Sequence, residues 1–309
     1  MSKIYFSNKT QNIQKYQYRI INTLNRYQNK PNSSFYTANS TPVPFDNMFR
    51  NRSAFLILGG PSFANLDSKR LLDPNVLVFG VNNSVKSFRP NVWISADPPT
   101  NFITSVWQDT KIMKFIPIEH INSPIINSFT KEVNIESTTK DYPNVWYFKK
   151  NEIFNPETFL SELTFNWGNA PKAGGVRSIM QIALKVMYKL GIRKVFLLGC
   201  DFKMNAEYTY HFQQNRHESS VKNNTKTYQV LAERFALLKP IFDDVGFEVY
   251  NCNPDSELKV FPYLSYEDAI NTTQRDIIDW KNEPTEGLYD REYRLRVAEK
   301  ERIKNARNK

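Results

Sequence analysis

Cysteine is nearly missing from this chain: Cys200 and Cys252 are the only two in 309 residues. Two are too few for a disulfide framework, and no C-x-x-C motif offers a zinc site. They are expected to be small buried side chains. Histidine is almost as scarce, with His120, His211 and His217 the full set and no H-E-x-x-H among them. No paired-acid D-x-D follows a strand, so no metal site is expected. The nucleophile elbow G-x-S-x-G is absent, which removes the usual serine-hydrolase reading. Neither the dinucleotide fingerprint G-x-G-x-x-G nor the Walker pattern G-x-x-x-x-G-K-[ST] occurs. No apolar run approaches the roughly 18 residues of a membrane span, and Met1 opens no signal-peptide pattern. A soluble, cytoplasmic protein is the expectation.

Acidic residues are also few at the two ends. The net charge is +10, but residues 1–50 carry seven Lys/Arg against Asp46 alone, and residues 291–309 carry eight against three acids. The long middle is therefore close to neutral, and the basicity belongs to the tails. Such tails suit nucleic acid, anionic lipid or an acidic partner, or they are solvated basic segments that keep the protein soluble.

The chain is rich in apolar and aromatic residues, 40% and 14%, enough for a substantial core. Residues 10–28 suggest a short helix, and the Ser/Thr/Asn/Pro-rich stretch from Pro31 to Pro44 reads as a connector. This arm is expected to be peripheral, with the core starting at Ser53. From there, continuous apolar runs at 54–60, 75–83, 91–99, 194–202 and 247–254 predict strands buried on both faces, with weaker candidates at 111–118 and 144–150. The stripe at 179, 182, 183, 186, 187 and 190 predicts a helix over 174–191 ended by Gly191. A second long helix is predicted over 225–246, kinked or broken near Pro240. Strands alternating with helices specify an α/β, Rossmann-like domain with a mostly parallel sheet flanked by helices. The predicted division is an arm (1–52), this main domain (53–265) and a basic helical extension (266–309).

Ligands of such sheets bind where the strands end, and the unusual residues collect there. Gly59-Gly60-Pro61-Ser62 follows the first strand, Asn82-Asn83 the second, Asp97 the third, and Asp201 the 194–202 strand. The bare glycine turn would let a nucleotide phosphate approach the backbone at the mouth of a helix, although a plain tight turn has the same composition. An Asn amide can read a base edge or a ribose. The loop "NAPKAGGVRS" (169–178) opens a helix with Gly174 and Gly175, and its Lys172 and Arg177 would suit a phosphate or an anionic substrate, although a solvated loop has the same composition. His211 and His217, in "YTYHFQQNRHESS", are the candidate general bases. Tyr208 and Tyr210 of that segment would contact substrate.

The motifs "LGGPSFANL", "GVNNSV", "GGVRSIMQIALKVMYKLGIRKVFLLGCDF", "NTKTYQVLAERF" and "EVYNCNPDSEL" resemble, in order and spacing, the bacterial sialyltransferases that build lipooligosaccharide. The glycine-Pro-Ser turn is also similar to that of hydroxymethylpterin diphosphokinase-like proteins. The resemblance covers about residues 53–260. It implies a metal-independent glycosyltransferase without a cofactor, using a nucleotide sugar held by Gly59–Ser62 and Asn82. Asp97 stands where that family tends to have Asn, and Ala-Gly-Gly (173–175) replaces its Ser-Gly. The family's base falls at Val221, four residues beyond His217. The chain is further similar to uncharacterised tailed-bacteriophage proteins, which implies host cytoplasm and either hydroxymethylated DNA bases or a surface glycan as acceptor. Two rival expectations stand beside this one. One is an ATP- and Mg²⁺-dependent diphosphokinase using Asp97 or Asp201. The other is a non-catalytic nucleic-acid-binding or virion-associated protein. Self-association is left open.

Overall fold

The computed structural model describes residues 33–126, 133–169, 175–203, 210–212, 218–275 and 290–307. The chain divides into two compact units, Met1–Arg275 and Asp276–Lys309. In the first, the strands in chain order are β1 (Phe35–Tyr36), β2 (Pro42–Val43), β3 (Ser53–Ile57), β4 (Val78–Val81), β5 (Val92–Ile94), β6 (Met113–Pro117), β7 (Pro124–Ile126), β8 (Val133–Thr138), β9 (Val145–Phe148), β10 (Lys150–Asn151), β11 (Phe165–Asn166), β12 (Lys194–Leu198) and β13 (Glu248–Asn251). Among the described residues its α-helices are α1 (Thr104–Gln108), α2 (Ile179–Lys189), α3 (Glu218–Asp244) and α4 (Tyr266–Arg275).

Nine strands form one sheet in the order β13-β12-β3-β4-β5-β6-β9-β1-β2. The seven from β13 to β9 run parallel, and β1 and β2 close one edge antiparallel. This is a Rossmann-like α/β fold. Its parallel strands are apolar without alternation because both faces are covered. Ala54, Leu56 and Leu58 join the core that includes α2 and α3 residues, while Phe55 and Ile57 join the opposite core with Phe63, Leu71 and the α4 residues Ala269 and Ile270. The chain runs outward from β3 to β9, then returns to place β12 on the other flank of β3. That reversal is the topological switch point, where open α/β sheets bind ligands.

Four expectations are corrected. The connector from Pro31 to Pro44 is not peripheral, because it supplies β1 and β2, and Phe35 is fully buried against Phe115 and Phe165. A period-2 signal cannot register in strands of two residues, so the sequence pattern hid them. Replacing Phe35 with Ala is expected to cost about 3 kcal/mol in urea unfolding, where a peripheral arm would give almost nothing. Second, the turn after β3 opens no α-helix but a five-residue 3-10 turn, Pro61–Asn65. Third, α3 runs through Pro240 to Asp244 without a break. Fourth, the first unit extends past residue 265 to include α4, whose Tyr266 ring packs edge-on to Phe55 at 5.9 Å.

Helix α2 buries a lysine. The Lys185 ammonium donates to the Thr164 carbonyl (2.7 Å) near the Phe159 and Phe165 rings, and burial pulls its pKa down to about 7. In the unfolded chain that lysine titrates near 10.4, so between these values the unfolded state holds the extra proton and wild-type stability rises with pH. Lys185→Met escapes the penalty. Its stability relative to wild type should therefore be highest near pH 7 and fall by about 1 kcal/mol or more toward pH 10, as read by urea titrations at both ends. A pH-independent difference would show that Lys185 stays charged in the fold.

Candidate functional site

A cavity of about 500 Å³ lies at the carboxyl ends of β3, β4, β5 and β12. Leu58, Gly59 and Gly60 line it from β3, Asn82 and Asn83 from β4, and Asp97 from β5. Gly199, Cys200, Asp201, Phe202 and Lys203 line it from β12. The first turn of α2 (Ser178, Ile179 and Met180), with Tyr228 and Leu231 of α3, forms another wall. Strand-end segments far apart in sequence thus converge, as the parallel topology requires.

The bareness of the glycine turn has an internal cause. Asp201 reaches back to it, its Oδ2 accepting from the Ser62 hydroxyl (2.8 Å) and amide (3.4 Å), while Oδ1 accepts from Asn253 Nδ2 (3.2 Å). The Gly60 amide donates to the Gly199 carbonyl (2.8 Å). A Cβ on Gly60 would collide with the Asp201 carboxylate and lie 2.5 Å from that carbonyl. At Gly59 a Cβ would meet the Tyr210 ring at 2.9 Å. What comes close to this backbone is the chain itself. Burial pushes the Asp201 carboxyl above its ordinary range, opposed by the hydrogen bonds from Ser62 and Asn253. Asp201 is thus a buckle between β3, β12 and the loop after β13. Ser62 and Pro61 support the site without lining it.

Asn82 is in the left-handed region, φ 46°, which Asn tolerates better than most residues. Its Oδ1 accepts from Ser95 Oγ (3.0 Å), its Nδ2 donates to Asp97 Oδ2 (3.1 Å), and its carbonyl accepts from Trp93 Nε1 (2.8 Å). The amide acceptor is therefore engaged. One side-chain N–H remains for a ligand, and a second effect of Asn82 is to orient the Asp97 carboxylate at the wall.

The two candidate bases separate. His217 lies outside the described residues, as do Lys172, Gly174 and Tyr208. His211 is described, and its ring does not line the cavity. Its Nε2–H donates to the Leu58 carbonyl (2.7 Å), the ring packs on Phe63 with centroids 4.8 Å apart, and burial lowers its pKa. Its Nδ1, the lone-pair nitrogen of that tautomer, is buried. The His211 amide also donates to the Gly59 carbonyl (3.2 Å). Its neighbours Tyr210 and Phe212 line the cavity, their rings stacked at 4.9 Å and 8°. The His211 ring is thus engaged with the Leu58 carbonyl and Phe63 outside the cavity lining, and Tyr210 joins the wall.

Arg177 is likewise held elsewhere. Its guanidinium pairs with Glu152 (3.1 Å) and lies over the Trp167 ring (4.9 Å), outside the cavity. Gly175 is exposed, at φ 60°, and does not line it. The sequence reading missed Asn101, Phe102, Phe212 and the Phe202/Tyr228 pair (5.0 Å). Asn101 and Phe102 follow Asp97-Pro98-Pro99 closely enough for the strand-end rule to have found them. Tyr228, on a helix distant in sequence, offered no signal. Among the described residues no cluster of three metal-ligating side chains occurs, and no helix is long and apolar enough to cross a membrane.

No family model and no curated protein matches the chain. A solved structure does: the sialyltransferase CstII from Campylobacter jejuni in complex with a substrate analogue, CMP-3FNeuAc. It is 15% identical, with a TM-score of 0.37, over 69% of this chain and 86% of that one. A likeness so remote transfers no residue role and no substrate. Nothing in these comparisons bears on the diphosphokinase or bacteriophage resemblances.

Proposed function

We propose that the protein is a glycosyltransferase that moves a sugar from a nucleotide-sugar donor to an acceptor hydroxyl. The observation that carries this reading is the convergence of the glycine turn, Asn82-Asn83, Asp97 and Asp201 on one cavity at the switch point of the sheet. The lining suits a hydroxyl-rich ligand with a planar base. Asn82, Asn83, Asp97 and Asn101 offer amide and carboxylate partners, and Tyr210/Phe212 and Phe202/Tyr228 offer flat apolar faces.

In the reaction so envisaged the acceptor oxygen attacks the anomeric carbon and loses its proton to a base, for which His217 is the candidate. The bond from that carbon to the donor phosphate breaks, and the nucleotide leaves with the electron pair. Its charge needs stabilisation, and the first turn of α2 is at the wall, where an eleven-residue helix presents amide groups and a positive dipole end. Lys172 is the side chain proposed to help. Arg177 would have to leave Glu152 to do so. No metal or cofactor is required by this scheme.

One observation favours a second reading: Asp97 and Asp201 both line the cavity, with Lys203 the one lysine or arginine among the described lining residues. A Mg²⁺-dependent phosphoryl or diphosphoryl transfer would use such carboxylates. A thermal-shift screen with CMP, UDP, GDP and ATP, each with Mg²⁺ or EDTA, separates the two. Saturation at about 100 times Kd adds about 2.7 kcal/mol of stability. A shift with a nucleotide that carries sugars, persisting in EDTA, supports glycosyl transfer. A shift confined to ATP with Mg²⁺ transfers support to the second reading, and no shift with any nucleotide sinks both.

A further inference from the structure

The second unit contains one described helix, α5 (Asp290–Arg307), and its described side chains from 293 to 306 are all exposed. At 100° per residue, Arg296, Lys300, Lys304 and Arg307 fall within an arc of about 80°. Arg296, Lys300 and Lys304 follow one another at i, i+4, about 6 Å apart along the axis, and Arg307 comes about 4.5 Å beyond Lys304. No Asp or Glu of the helix falls in that arc, whereas Tyr293, 69% exposed, does. The other side is different: Arg302 is paired with Glu299 at 3.2 Å. Like charges four residues apart each cost a helix a few tenths of a kcal/mol.

We propose that this ridge binds the phosphate backbone of a nucleic-acid duplex. A row of cations about 6 Å apart on a rigid rod suits a line of phosphates, and such contacts need no apolar face. A lipid surface fits less well. An interfacial helix concentrates its apolar residues on one side, but Leu295, Val297 and Ile303 are spread over more than half of the circumference of α5. The proposal is independent of the glycosyltransferase reading and of the identity of the acceptor.

The test is fluorescence anisotropy of a labelled 20-base-pair duplex with the full chain, from 50 to 300 mM KCl. Two variants remove the same charge: Lys300→Gln/Lys304→Gln on the ridge, and Arg291→Gln/Arg302→Gln away from it. Gln is a good helix former, and circular dichroism checks that helicity is kept. Four ridge contacts give a slope of log K against log salt of about −3.6 in the wild type. The ridge variant should flatten it by about 1.8 and bind at least tenfold more weakly at 50 mM, with the other variant close to wild type. Equal effects of the two variants would mean bulk charge alone, and overturn the ridge. Unchanged binding in both would assign the contact to the basic residues before 51 and overturn it too. So would failure of the full chain to bind duplex, or tighter binding to vesicles of phosphatidylserine and phosphatidylcholine than to DNA.

Discussion

Gly60→Ala is expected to destabilise the protein by about 3 kcal/mol, a fall of roughly 6–10 °C in Tm, whether or not a nucleotide is present. The added Cβ meets the Asp201 carboxylate on one side and the Gly199 carbonyl, 2.5 Å away, on the other. A side chain can swing aside. The carbonyl cannot, because β12 is locked beside β3 by five register pairs and by the Gly60 amide that this carbonyl accepts. The double variant Gly60→Ala/Asp201→Ala should therefore recover little. If glycine served only to let a phosphate approach, Gly60→Ala would keep its Tm and lose nucleotide affinity alone. Calorimetry of the free protein and a nucleotide titration decide between these outcomes. A normal Tm would show that the turn yields at no cost and that its glycine serves the ligand.

The largest kinetic effect is expected at His217. On the glycosyltransferase reading, His217→Gln lowers kcat about 100-fold with the donor affinity nearly unchanged, as loss of a general base does. His211→Gln should behave differently. It loses the hydrogen bond to Leu58 and the packing on Phe63, so its Tm falls by a few degrees while kcat per folded molecule holds. The contrast uses geometry: a lone pair buried among rings cannot collect a proton from an acceptor in the cavity. Should His211→Gln abolish turnover and His217→Gln leave it intact, the assignment reverses. If both variants keep wild-type kcat, neither histidine is the base.

How much of this was legible beforehand follows from what kind of physics each feature depends on. Burial on two faces writes itself locally as a continuous apolar run, so all seven parallel strands, including the weaker β6 and β9, could be read from the residues, and with them the α/β class. The carboxyl-end rule then placed Asn82, Asn83, Asp97 and Asp201 at one edge, and the structure brings all four to one cavity. Local composition could not distinguish a glycine needed by a ligand from one needed by a neighbour. That depended on Asp201, which lies 139 positions from Ser62. Nor could it say which way His211 turns, since the answer is set by the Leu58 carbonyl just beyond β3.

The sequence by itself thus determined the seven parallel strands, the two long helices, their order along the chain and the edge where polar residues gather, because propensity and periodicity act between near neighbours. Tertiary structure alone decided which of those residues reach the cavity and which are already used. It turned Asp201 into a buckle, paired Arg177 with Glu152, and drew β1 and β2 into the sheet. A hydrogen bond or an ion pair between distant segments leaves no periodic trace, and its partner exists only once the sheet has set the distance.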